Sequence, residues 1–504
     1  MYGGVEIPGH PDLANIAKLD RLAIPLIRRA HRLGIAIDRE HFYRLSSEFS
    51  AEVADLEKDI ASYIPVDKLR EFSGAKTEDE RADDEEEEET GAVTAEPVAD
   101  RPRSNFNASS PEQIGKLLYD ILGIGVSKKL KKTASGKLST GKKQLEMVRM
   151  EHPVVAKILR HRELTKLDAT YCKKLPKVAV YHPRAECCPV CELKHRTETW
   201  RVHTEMVTTR TETGRIASRN PNLQNIPGRT KQGTEVRAGF IASPGTKLVS
   251  VDFSQIELRM MAHLANCYSM IVVYEAGGDL HDATAMQCFG LADKSQIDKV
   301  KHRIAAKIAN FLSMYQGGDK ALYQQLVMAM QLLIAEGKLF DIPDWLTVEW
   351  CAGFQDRWFE ARPEVRQYLD LQTYRARRYG MVWDIFGRIR LVPEVQSAHS
   401  WIREAGIRQA GNVGDQASSA GLMKLAMGAC NEFLLDLLEC GVWCWPLLTI
   451  HDQLITEVEE DRADMVLAEK IQIFDSVMND VRTGERLFRV PIESDGSVME
   501  RWAK

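Results

Sequence analysis

The sequence has no long apolar run. Nothing in its 504 residues approaches the roughly 18 consecutive uncharged apolar residues of a membrane-spanning helix, so no membrane partner is expected. Met1 to Asp12 contain neither a basic n-region nor an apolar h-region, so a secretory signal is not expected either. Cysteine is sparse, and ten in 504 residues exclude a disulfide scaffold. Seven of them (Cys172, Cys267, Cys288, Cys351, Cys430, Cys440, Cys444) stand in apolar or helical text and read as buried thiols in a reducing, cytoplasmic compartment. There is no internal repeat. What remains is 44% hydrophobic and 28% charged, an ordinary globular composition, at a length that calls for about two to four domains.

The charge is unevenly spread. The net is −5, yet the tract EDERADDEEEEE (78–89) alone carries −9, which leaves the rest of the chain at +4. Residues 127–143, SKKLKKTASGKLSTGKK, hold seven lysines and no acid. Such polarity fits a polyanionic partner, although a lysine-rich loop on charge alone is more often just solvated. Residues 74–104 lose all hydrophobic periodicity and read as an acidic spacer.

Elsewhere the pattern is mostly helical. Leu45, Phe49, Val53, Leu56 and Ile60 have helical spacing within a helix-rich stretch, 14–62. Ser109-Ser110-Pro111-Glu112 is a helix start, and further helices are expected at about 151–175, 255–265 and across 296–378. Residues 199–252 are strand-like, ending in LVSVD (248–252), and WPLLTIHDQLITEV (445–458) reads as a hairpin.

Three groups of residues carry chemistry. Asp252 closes an apolar strand, with Glu257 in the first turn of the next helix. Arg303, Lys307, Phe311 and Tyr315 recur every four residues, so they share one helix face over about 18 Å, with two cations at one end and two aromatics at the other. A nucleoside triphosphate has the same layout: cations suit phosphate oxygens and an aromatic ring suits a base. His451-Asp452 sits at the tip of the hairpin. Singly, each has an ordinary explanation as a helix cap, an amphipathic helix or a turn residue. Jointly, two strand-end aspartates 200 residues apart could share a pair of divalent ions, the device used for in-line phosphoryl displacement.

These residues lie in text that resembles the polymerase portion of family A DNA polymerases, the bacterial DNA polymerase I and bacteriophage replicative group. The matching segments are FNASSPEQIGKLLYDILGI (106–124), HRELTKLDATY (161–171), TGRIASRNPNLQNIP (213–227), VDFSQIELRMMAHLA (251–265), GDLHDATA (278–285), the Arg303–Tyr315 helix, FGRIRLVP (386–393), REAGIRQAGNVGDQASSAGLMKLAM (403–427) and HDQ (451–453). The resemblance implies an α+β right-hand polymerase, helix-rich, with an antiparallel palm sheet. It implies an N-terminal segment (1–30) packing on the palm, a thumb (31–170), a palm (171–265 and 396–504) and fingers (266–395).

By the same resemblance Asp252, Asp452 and the Phe253 backbone carbonyl hold two Mg²⁺ ions, with Mn²⁺ able to stand in. The primer 3′-hydroxyl attacks the α-phosphorus of a dNTP. Arg303, Lys307 and His281 grip the triphosphate, with Gln255 also in the dNTP site. Phe311 packs on sugar and base, and Tyr315 lies near the templating position. Glu257 excludes a ribose 2′-hydroxyl and bonds the tyrosine. Arg215, Arg408, Asn412 and Gln416 reach the minor groove, where every base pair offers the same acceptors. His451 meets the primer terminus, and Lys128, Lys129, Lys131 and Lys132 contact phosphates. The implied partners are primer–template DNA and dNTPs, with a monomeric chain.

The departures are specific. Gln453 stands where the family usually has Glu. Leu312 and Gln316 stand where relatives commonly have Gly, and Ile308 replaces a more polar residue. Only about thirty residues precede the thumb, so no proofreading exonuclease is expected unless a separate protein supplies it; a separate exonuclease or a processivity factor is a candidate partner. GKLSTGKK (136–143) is a near miss to a P-loop, without the final Ser or Thr or a leading strand. YHPRAECCPVCELKH (181–195) offers Cys188, Cys191 and His195 at zinc-knuckle spacing, with Cys187 or His182 as a fourth ligand; a lone CxxC more often binds nothing. Two alternatives share some of these features: a single-subunit RNA polymerase, against which Glu257 argues, and a silent DNA-binding subunit, against which the joint presence of Asp252, Asp452, Arg303 and Lys307 argues.

Overall fold

The computed structural model describes residues 2–72, 106–125, 130–195, 197–228, 230–480 and 483–502. The acidic spacer, Lys128 and Lys129 lie outside the described residues. The chain divides into two compact units, one of residues 1–43 with 174–504 and one of residues 44–173. No helix among the described residues is long and apolar enough to cross a membrane.

The larger unit holds its strands in small antiparallel groups. Strands β1 (Ile35–Ala36), β2 (Val180–His182) and β3 (Thr199–Val202) form a sheet in the order β1-β3-β2. Strands β4 (Glu205–Val207) and β5 (Ala217–Arg219) pair with each other. The central sheet contains β6 (Thr246–Phe253). A side ribbon pairs β7 (Met381–Trp383) with β8 (Ile389–Leu391). Then come β9 (Cys444–Ile450), β10 (Gln453–Glu459) and β11 (Ser494–Met499), and the central order is β11-β6-β10-β9, antiparallel throughout.

β6 and β10 are inner strands buried along most of their length, as strands covered on both faces are. One cover is the Ala463–Ser476 helix. Its buried Lys470 amine donates to the carbonyls of Val249 and Leu454, each at 3.0 Å, and to Thr456 Oγ1 at 3.1 Å, so a charged group is satisfied against the sheet. The Leu13–Leu33 helix packs on β9 and on the Ser400–Glu439 helix. Asp12 caps it, and its Asp20 accepts from Lys424 Nζ at 2.7 Å.

The Ser400–Glu439 helix has 40 residues, about 60 Å of rise, and is buried through its middle. Small residues make that burial possible. A Cβ on Gly414 would fall 1.9 Å from the Tyr368 hydroxyl, and one on Gly421 would fall 2.3 Å from the Phe386 ring.

The smaller unit packs its own core, including Ile60, Ile114, Leu117, Val154 and Ile158. Ser110 caps the Pro111–Gly115 helix by accepting from the Gln113 amide, as its sequence suggested. Its lysine-rich loop is pinned by the Lys131 amide on Gln144 Oε1 at 2.8 Å and by a bridge from Lys132 to Leu138, with both lysines exposed.

Two expectations need correction. The stretch 199–252 is not strand throughout: Lys231–Ala238 is a helix, because Thr230 caps it on the Gly233 amide. Cys440 is exposed rather than buried, since it lies at the C-terminal cap of the long helix.

Candidate active site

The ladder places the acidic centre. Gln453 on β10 lies directly across from Asp252 on β6, and the β9–β10 hairpin turns through His451 and Asp452 alone. His451 takes φ 53°, the left-handed geometry that a two-residue turn requires. The Phe253 amide donates to the Asp452 carbonyl at 3.3 Å, which brings the turn against the end of β6. Burial pushes the Asp452 carboxyl up to about 7, with Glu257 and Asp252 adding to the push and the Arg215 charge opposing it. On the other side of β6, Asp495 of β11 is in register with Asp252. Opposed residues of a ladder project to one face, so a third acid joins this edge.

Gln453 is buried, and its Nε2 donates to Ser250 Oγ at 2.7 Å. A neutral amide therefore occupies the place across from Asp252, with its polar end satisfied inside the sheet.

Glu257 begins the Ile256–Ala265 helix and bridges two partners. Arg215 Nη2 donates to one carboxylate oxygen and the Tyr315 hydroxyl to the other. Burial, together with the neighbouring Asp415 and Glu257 carboxyl groups, raises the Tyr315 phenol, so it stays protonated and donates. Gln255, just before the helix, takes φ 52° and accepts from the Tyr274 hydroxyl at 3.3 Å.

The His302–Met314 helix buries Ala305, Ala306, Ala309, Asn310 and Ser313, and leaves Arg303, Lys307 and Phe311 half-buried on the other face. Tyr315 is its C-cap. Arg303 is held by two acids, Asp279 at 2.6 Å and Asp282 at 2.9 Å. Gln316 follows at φ 56°, a conformation glycine adopts without strain.

His281 is buried and its tautomer is set by its neighbours. The indole of Trp358 can only donate, and it reaches Asn310 Oδ1 at 2.6 Å. Thr284 Oγ1 approaches the same oxygen at 3.0 Å. The Asn310 amide nitrogen must then face His281 Nδ1, at 3.0 Å, so the proton of the neutral ring lies on Nε2. Burial, with the Lys307 and Arg303 charges adding to it, lowers His281 to about 4, against the pull of Asp279 and Asp282, so the ring is neutral near pH 7.

Arg408, Asn412 and Gln416 share one face of the Ser400–Glu439 helix, with Arg408 exposed and the other two half-buried. Gln416 reaches Tyr315. Asp415, one residue earlier, is fully buried, and both carboxyl oxygens lack a hydrogen-bond partner. Burial and the Glu257 charge raise its pKa well above the usual carboxylate range.

The family model for DNA polymerase family A matches residues 77–504. The chain belongs to DNA polymerase family A. The thermostable DNA polymerase I of Thermus aquaticus is 36% identical to this family A chain over 397 residues, covering 79% of the chain and 42% of that protein. DNA polymerase I of Deinococcus radiodurans is 32% identical over 476 residues, covering 94% and 41%. The family A chain thus spans about two fifths of the length of these curated relatives. Among solved structures, the POL domain of Pol1 from M. smegmatis, in complex with DNA primer-template and dNTP, aligns at TM-score 0.73 and 25% identity, covering 97% of the chain and 72% of that one. The fold class expected from the sequence, a helix-rich α+β polymerase fold with an antiparallel central sheet, holds.

Sequence reasoning missed Asp495, Asn310, Trp358 and Asp415. Asp495 could not be found because the polar strand SDGSVM carries no alternation signal. Asn310 was visible as the polar residue on the apolar side of an amphipathic helix. Of the two candidates for the fourth ligand, Cys187 is exposed and outside the cluster, whereas His182 joins Cys188, Cys191 and His195, because β2 turns that imidazole inward.

Proposed function

We propose that this chain is a DNA-templated DNA polymerase that adds dNTPs to a primer 3′-hydroxyl by phosphoryl transfer at Asp252 and Asp452. The observation that carries the reading is the β6–β10 register, which sets Asp452 beside Asp252 next to the Arg215–Glu257–Tyr315 bridge. The donor set fits Mg²⁺, a hard cation that takes carboxylate oxygens. Burial, with the Glu257 and Asp252 charges adding to it, raises Asp452, and a bound cation would offset that cost. Asp252, Asp452 and the Phe253 carbonyl would hold two Mg²⁺ ions, with Mn²⁺ as a substitute. When bound, such a pair activates the attacking hydroxyl and stabilises the leaving oxygen.

The chain's own groups position the substrates. Arg303 and Lys307 bind the triphosphate, and neutral His281 donates from Nε2 to a phosphate oxygen. Phe311 stacks on the incoming nucleotide. Glu257, pinned from both sides, fills the space a 2′-hydroxyl needs. Arg215, Arg408, Asn412 and Gln416 read the shape of the new pair from the minor groove. His451 meets the primer terminus. Lys131 and Lys132 contact duplex phosphates, so binding weakens with salt. On this reading residues 266–395 are the fingers, 171–265 with 396–504 the palm, 31–170 the thumb, and 1–30 pack on the palm.

Primer extension with Mg²⁺, comparing dNTPs with rNTPs, tests the proposal. Asp252→Ala and Asp452→Ala are expected to lower extension on the order of 10³-fold or more while primer–template binding persists. Extension by Asp452→Ala at the parent rate overturns the assignment. A 3′-mismatched primer is expected to be extended without prior shortening by these 504 residues.

A further inference from the structure

We propose that His182, Cys188, Cys191 and His195 form a structural zinc site, separate from the polymerase centre. Their donor atoms lie within 4.8 Å of one another, and all four residues are buried. Cys188 Sγ is 3.6 Å from His182 Nδ1, and Cys191 Sγ is 3.0 Å from His195 Nε2. Zinc bonds of about 2.0–2.3 Å in a tetrahedron imply donor separations of about 3.3–3.8 Å, so the four atoms need only small shifts.

Two independent observations point to a metal. The first is what the 183–198 loop buries. Among its described residues only Cys188, Cys191 and His195 are buried; Val190 is exposed, and no other side chain of the loop enters a core. A loop with no apolar anchor needs another staple, and the groups it has turned inward are metal donors.

The second is the proton arrangement around His182. The His31 carbonyl can only accept, and His203 Nδ1 lies 2.7 Å from it, so the proton of a neutral His203 sits on Nδ1. His203 Nε2 is then an acceptor, 3.0 Å from His182 Nε2, which must carry the proton of that ring. The bare lone pair of His182 is left on Nδ1, facing the Cys188 thiol. A zinc-bound histidine usually donates its other ring N–H to an outer acceptor that fixes its tautomer, and His203 Nε2 fills that role here.

The backbone conforms as well. Glu192, just after the second cysteine, takes φ 56°, and the turn closes through the Cys188 amide on the Leu193 carbonyl at 2.8 Å and the Glu192 amide on the Cys188 carbonyl at 2.7 Å. A two-way bridge between Ala185 and His195 closes the loop's base. Thiolate and imidazole donors in a closed tetrahedral set select zinc over magnesium or calcium, and all four positions are filled by protein, so the site is structural.

The test uses the whole 504-residue chain, purified without a histidine tag or chelator and supplied with one equivalent of Zn²⁺ before desalting. Elemental analysis is expected to find about one zinc per chain in the parent and in Cys187→Ser, and less than about a fifth of that in Cys188→Ser and in His195→Gln. Cobalt exchange is expected to give the intense visible bands of a tetrahedral thiolate site. Because the variants could fail to fold, the parent is also heated with and without a zinc-selective chelator in magnesium-free buffer, and its Tm is expected to fall by about 4 °C or more. No bound zinc in the folded parent, full retention in both variants, or a Cys188–Cys191 disulfide seen as a mass deficit overturns the proposal.

Discussion

The Tyr315 hydroxyl donates to one oxygen of Glu257 while Arg215 holds the other, so the carboxylate joins the end of the His302–Met314 helix to the segment carrying Arg215. A glutamate fixed from both sides is a rigid wall. Its removal is expected to admit ribonucleotides: Glu257→Ala should reduce the kcat/KM ratio of dCTP over CTP by about 100-fold or more, while Glu257→Gln, which keeps the bulk, should retain most of it. An unchanged ratio in the alanine variant would sink the assignment of Glu257 as the sugar gate.

Asn310 controls the His281 proton through the donors that fix its amide. Asn310→Asp replaces the donor facing Nδ1 with an acceptor. The ring must then protonate Nδ1, and the added charge raises its pKa from about 4. The parent profile of kcat/KM for dNTP should show no His281 limb between pH 5 and 8. The variant should gain one, with kcat/KM lowered roughly tenfold at pH 8, about 1.4 kcal/mol.

Gly414→Ala places a methyl group 1.9 Å from the Tyr368 hydroxyl in the middle of a buried helix. Overpacking of this kind costs about 1–3 kcal/mol. Chemical denaturation should show that loss, and Tyr368→Phe added to it should restore part. Independent, additive effects of the two changes would mean that the contact is not the cause.

Arg201 and Glu457 form an ion pair at 2.7 Å with both side chains fully buried. Ser243 and Thr246 add donors to Glu457, and Arg201 also donates to the Gly34 carbonyl. Burial pushes the Glu457 carboxyl up, but the Arg201 charge and the Ser243 bond outweigh it and hold the group below its usual 4.5. Its stabilising contribution is therefore complete above about 4.5 and is lost as pH falls through the lower folded value. Glu457→Gln should cost about 3–5 kcal/mol at pH 7, because a buried guanidinium loses its counter-charge. It should also flatten the acid limb of stability below pH 4.5, read by denaturation across pH.

Local signals made much of this architecture legible. An apolar run closed by Asp252, two apolar runs around His451-Asp452, a serine cap at Ser110 and a four-residue repeat from Arg303 to Tyr315 each depend on neighbours in sequence. What was not legible depends on distant partners. The pairing of β11 with β6 joins positions more than 240 residues apart through a polar strand without pattern. Asp415 and Trp358 acquire meaning only from what surrounds them in the interior. The choice between Cys187 and His182 turned on which way β2 faces, which spacing alone does not encode.

The spacing of Asp252 and Asp452 is set by a backbone ladder that runs without interruption from Glu459–Thr246 to Gln453–Asp252. One residue inserted into β10 would slide the turn along its neighbour by about 3.4 Å and invert the faces of every residue beyond it. Substitutions at exposed positions of this strand pair leave that arrangement alone, whereas an insertion or deletion of any chemical kind dismantles it. Chain length between the turn and the end of β10 is the quantity this centre holds constant.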